Sequence, residues 1–65
     1  MTKAVCKQLV NDLLDAGAQV TIYTVGPNNF AVHASTVNGP IDQQQVAALA
    51  SRYSVASQTT QAEFS

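Results

Sequence analysis

Between Asp15 and Asp42 no charged side chain occurs, and much of that gap is filled by strand-forming residues broken once by a turn signal. Val20, Thr21, Ile22, Tyr23, Thr24 and Val25 follow one another, Gly26-Pro27-Asn28-Asn29 interrupts, and Phe30 to Val37 resumes the same character. β-Branched and aromatic residues suit a pleated surface, Pro presets one turn dihedral, and Asn tolerates positive φ. A β-hairpin with strands over 18–25 and 30–37 is therefore expected in the middle of the chain.

Helical periodicity flanks it on both sides. From Thr2 to Ala16, Val5, Cys6, Leu9, Val10, Leu13 and Leu14 recur at steps of three and four, the spacing of an amphipathic helix. Lys3, Lys7, Asn11 and Asp15 fall at four-residue steps on its solvent side. Gly17 stands where a helix closes through a left-handed residue. A second helix is expected over 41–53, with Val46, Leu49, Ala50 and Tyr53 on one face, Asp42 as N-cap, Gln45 completing a capping box, and Ile41 against Val46 as a hydrophobic staple.

The expected fold is a single small α+β domain over residues 1–65, in the order α-β-β-α. Both helices should pack on one face of the hairpin as a two-layer sandwich. Val55 and Ala56, among Ser, Gln and Thr, leave room for a short third strand within 54–60, and residues 61–65 are expected to be a frayed tail unless Phe64 docks.

Strand alternation sorts the hairpin into two faces. Val20, Ile22 and Thr24 with Phe30, Val32, Ala34 and Thr36 form the expected core face. The opposite face carries Tyr23, Val25, Ala31, His33 and Val37 and no charge. Those five are the expected partner-binding residues, because so short a chain covers both faces of a sheet poorly by itself.

Charge narrows the function classes. Charged residues make up 11% of the chain, well below the ~25% of an average soluble domain. The formal net charge of -1 leaves no basic stripe to neutralise phosphates. Nucleic acid is thus disfavoured as a ligand. The single cysteine, Cys6, forms no internal disulfide and fits a reducing cytoplasm, and no apolar run is long enough for a signal peptide or membrane span.

Candidate chemistry is sparse. Cys6 and His33 are the only thiol and imidazole, but Cys6 lies on the apolar stripe of the first helix, where a free cysteine is usually a small buried hydrophobe. One Cys and one His fall short of a zinc site. Asp12 and Asp15 read as a solvated helix face, and the two glycine-containing turns lack the repeated glycines and following Lys of a phosphate cradle. No catalytic residue, metal, cofactor or small-molecule substrate is expected.

The helix, strand, strand, helix outline resembles small double-stranded-RNA-binding modules. Those modules place a Lys cluster at the start of the last helix, where this chain has Asp42-Gln43-Gln44-Gln45. An acid there repels phosphate, so the resemblance implies no shared function. The expected role is a non-enzymatic protein-interaction module, an adaptor, regulator or inhibitor, acting as a homodimer through the uncharged hairpin face. Size and lack of chemistry, rather than any residue, suggest a phage or mobile-element source. The alternative is a nucleic-acid-binding accessory protein whose dimer gathers Lys3, Lys7 and Arg52 into a weak basic patch.

Overall fold

The computed structural model describes all 65 residues. Their order is α1 (Lys3–Asp15), β1 (Gln19–Gly26), β2 (Asn29–Ser35), α2 (Gln43–Tyr53), β3 (Ser57–Gln58), a 3-10 turn (Thr59–Gln61) and β4 (Glu63–Phe64). The fold is α+β, with a four-stranded antiparallel sheet in the order β1-β2-β4-β3. The segment α2-β3-β4 repeats the order α1-β1-β2 in shortened form, and the halves meet at the β2–β4 pair.

Local signals account for the helix ends. Thr2 caps α1 by accepting from the Val5 amide at 3.3 Å. At the other end Gly17 takes φ +84°, and the Ala18 and Gly17 amides donate to the Leu13 and Leu14 carbonyls at 2.9 and 3.0 Å. This pair of bonds is the Schellman closure, with Ala18 and Leu13 both buried. Asp42 caps α2 through the Gln44 amide at 2.9 Å, and Ile41 and Val46 are buried together in the core. Gln45 makes no return bond, because the cap reaches the second amide of the helix rather than the third. Ser54 ends α2 in a left-handed conformation at φ 54°.

The hairpin turns at Pro27 and Asn28, where Asn28 adopts φ 49°, a positive φ that Asn tolerates better than most side chains. The Asn28 side chain accepts from the Lys3 amide at 3.2 Å, which ties the hairpin tip to the start of α1. The second strand stops at Ser35 rather than Val37. Thr36 and Gly39 close a tight turn with reciprocal backbone bonds of 2.8 and 3.1 Å, and the Thr36 hydroxyl also donates to the Gly39 carbonyl at 2.7 Å.

The core centres on β2 and β4. Cys6, Leu9 and Leu13 of α1, Val46 and Ala50 of α2, and Val32, Ala34 and Phe64 of the sheet belong to one buried cluster. Two expectations are corrected here. Residues 61–65 are not a frayed tail, since β4 pairs with both β2 and β3, and Phe64, opposite Val32, is completely buried. An aromatic ring at the open end of a small core removes more apolar surface from water than any other residue available there. Nor do both helices lie on the hairpin: α1 packs on β1 and β2, whereas α2 packs mainly on β3 and the 3-10 turn.

A polar junction joins the helices. The Tyr53 hydroxyl donates to an Asp12 carboxylate oxygen, and Arg52 approaches the same oxygen at 3.5 Å. The Asp12 hydrogen bond, aided by desolvation, holds the Tyr53 pKa above its ordinary value. Asp12 is therefore a structural acceptor between helices, not part of a solvated face.

Candidate functional site

Register decides what the sheet presents on the side away from the core. Tyr23 stands directly opposite Ala31, and Thr21, His33, Glu63 and Gln58 form the next row across all four strands. Tyr23 and Ala31 thus meet, with His33 one row away. Val25 lies at the irregularity between Thr24 and Gly26, just beyond Tyr23. Val37 is not on this face at all. It sits at the tip of the Thr36–Gly39 turn, 81% exposed.

Tyr23 and Val25 remain 52% and 59% exposed. Together with Ala31, Glu63 and Ser65 they line a shallow cleft of about 360 Å³. The face is not free of charge, because β4 sets Glu63 opposite His33. Sequence patterning missed that carboxylate, since pairing of the C-terminal residues with β2 is a long-range contact.

A second apolar depression lies on the core side, along the outer edge of the hairpin. Its volume is about 370 Å³, with Val10, Leu14, Ile22 and Phe30 on its floor and Lys3 and Lys7 on its rim. The expected core face is only partly covered here. Val32 and Ala34 are buried, Val20 and Phe30 are half-buried, and Ile22 and Thr24 are exposed. The reason is the position of α1, whose buried stripe is only Cys6, Leu9 and Leu13. The excess width of its apolar stripe, Val10 and Leu14 beyond those three, was the sequence signal for this groove.

The chemistry-bearing side chains do not converge. Cys6 lies in the core on one side of the sheet, and His33 faces the other. Burial raises the Cys6 pKa, which keeps the thiol protonated and poorly nucleophilic at neutral pH. No three His, Cys, Asp or Glu side chains come together as a metal-binding group. Arg52 is engaged with Asp12 and stacks over the Tyr53 ring at 5.6 Å, while Lys3 and Lys7 border the groove. No helix is long and apolar enough to cross a membrane. Comparison with protein families, characterised proteins and solved structures finds no match to this chain.

Proposed function

We propose that this chain is a small two-layer α+β protein-interaction module, working as a homodimer and acting on its partner through contact rather than catalysis. The observation that supports this reading is the uncovered side of the hairpin. Tyr23 and Val25, each more than half exposed, line an open cleft with half-buried Ala31, and Val32 and Phe64 of the core also border it. Aromatic side chains presented on a rigid strand lose little conformational freedom on binding and offer large contact area, which suits them to anchor an interface. His33 and Glu63 supply a polar margin beside the apolar corner.

Affinity capture with the full chain, wild type beside a Tyr23→Asp/His33→Ala double variant, tests the assignment. Loss of a partner by a variant that keeps its circular dichroism is the expected result. Recovery of the same partner by both proteins would refute the face assignment.

A further inference from the structure

We infer that the groove between α1 and β1 is filled by the same groove of a second copy, with the two β1 strands pairing antiparallel into one continuous eight-stranded sheet. This specifies the self-association proposed above and rests on it.

The backbone of β1 is prepared for such pairing. The Ala34 amide donates to the Ala62 carbonyl, so the even-numbered residues of β2 turn their backbone groups toward β4. Alternation along an antiparallel ladder then directs Ala31, His33 and Ser35 toward their β1 partners Tyr23, Thr21 and Gln19. What remains on the free edge are the N–H and C=O groups of Val20, Ile22 and Thr24. These three are symmetric about Ile22. A twofold axis there pairs Ile22 with Ile22 and Val20 with Thr24, satisfying all three residues in both copies. Lysine, proline and inward-pointing charge, which protect many edge strands, are missing from Gln19 to Gly26, and the one irregularity of the strand, between Thr24 and Gly26, lies beyond the Val20–Thr24 stretch that pairs.

The helices argue for a second copy rather than an unrelated strand. A twofold axis normal to the sheet keeps both α1 helices on one side and sets them antiparallel. With strands ~4.8 Å apart, helices lying over β1 and β2 of each copy come within ~10–14 Å, a span that long facing side chains bridge. Lys3, Lys7, Val10 and Leu14 recur at steps of four, three and four along this flank, the spacing of a helix-pairing seam. In the antiparallel arrangement the lysine stems cover Val10 and Leu14 of the other copy, and Ile22 of each strand closes the other's groove.

Charge completes the match. Within one chain, α1 has no acidic residue in its first turn and no basic residue in its last. Lys3 stands instead at the positive end of the helix dipole, and Asp15 at the negative end, a placement that weakens an isolated helix. Neither Lys3, Lys7 nor Asp15 takes part in the one salt bridge of the chain. Beside an antiparallel neighbour the same placement becomes favourable, because Lys3 of each helix meets the carbonyl end and the Asp15 region of the other.

Sedimentation of the full chain over a concentration series, combined with amide exchange, tests the arrangement. Wild type should reach twice the chain mass, with the Val20, Ile22 and Thr24 amides protected. Ile22→Lys, at a position already 51% exposed, should keep its fold and raise the dimer dissociation constant at least ~100-fold, since the symmetric interface takes the charge twice. Thr24→Lys, also exposed, should do the same and stands in if Ile22→Lys fails to fold. Tyr23→Lys, on the opposite face, should leave the mass unchanged. Lys3→Glu should weaken the dimer several-fold yet raise the melting temperature of the Ile22→Lys monomer, because an acid in the first turn suits the lone helix. A strictly monomeric wild type would overturn this inference and the self-association reading together. A dimer broken by Tyr23→Lys but not by Ile22→Lys, or one whose Val20, Ile22 and Thr24 amides exchange freely, would overturn the edge pairing alone.

Discussion

Replacing Phe64 with alanine should remove a third or more of the stability of this domain. The ring is completely buried, it stands opposite Val32 on one side and Ser57 on the other, and it is the only aromatic residue among the eleven of the core cluster. Deleting it removes roughly 100 Å³, which at ~24 cal/mol per Å³ is ~2.4 kcal/mol if the cavity stays open, in addition to the lost transfer term. The C-terminal strand ends two residues into its ladder and can partly collapse, so ~3–4 kcal/mol is the expected cost, within the usual 3–5 for buried Phe→Ala. At ~0.05–0.15 kcal/mol per residue, the whole domain holds only ~3–10 kcal/mol. Urea unfolding followed by circular dichroism, at two protein concentrations to separate folding from association, reads the change directly. Glu63→Ala, exposed on the opposite face, serves as the control and should shift stability by less than ~0.5 kcal/mol. A loss below ~1 kcal/mol for Phe64→Ala would refute the reasoning, because a free tail would then describe residues 61–65 better than a core strand.

Four further outcomes follow from the local geometry. Tyr53→Phe should destabilise the helix junction at neutral pH and flatten the alkaline limb of the stability profile: the folded Tyr53 pKa is raised, chiefly by its bond to Asp12, so its contribution is full below the unfolded value near ~10 and is lost as pH rises through the folded one. Denaturant titrations at neutral and alkaline pH check this. Gly17→Ala should cost ~1 kcal/mol although nothing lies within 4 Å of the added methyl, because φ +84° is unfavourable for any side chain. Ser54→Gly, at φ 54°, should gain ~0.5–1 kcal/mol, and thermal melts of both variants test the pair. Finally, Cys6 should resist thiol reagents at neutral pH in the native protein and react fully once unfolded, its thiol being buried and its pKa raised; rapid native reaction in a thiol assay would contradict its place in the core.

Both helices, the Asp42 cap, the Gly17 stop, the hairpin and its turn could be read from the sequence because each depends on neighbours within a few positions. Asp42 satisfies a nearby amide, Gly17 and Asn28 supply positive φ, and apolar residues at steps of three and four define which side of a helix is wet; the Thr2 and Ser54 caps were not read, and Gln45 does not close the capping box. The candidate site was legible to the same extent. Tyr23 and Ala31 share a face because strand alternation and a tight turn fix their register, whereas Val25 borders the same cleft from the strand irregularity, where alternation no longer decides its side. Val37 was misplaced by one short-range competitor, the Thr36 hydroxyl, which closes a turn where continued strand composition suggested continued strand.

Only the tertiary structure decided the rest. The short strand for which residues 54–60 left room is β3 at Ser57–Gln58, but nothing in residues 61–65 has the length or periodicity of a strand, and β4 exists because the edge of β2 offers hydrogen bonds while Phe64 finds a core to enter. Likewise the apolar pattern showed that the α1 stripe is wide, but not that Leu14 and Ile22 are the residues left exposed. Their position depends on where α1 settles across β1 and β2, and it settles with Cys6, Leu9 and Leu13 turned into the core shared with Val32. Local bonding thus determined the elements, whereas competition among apolar side chains for one small core determined which residues were left outside it.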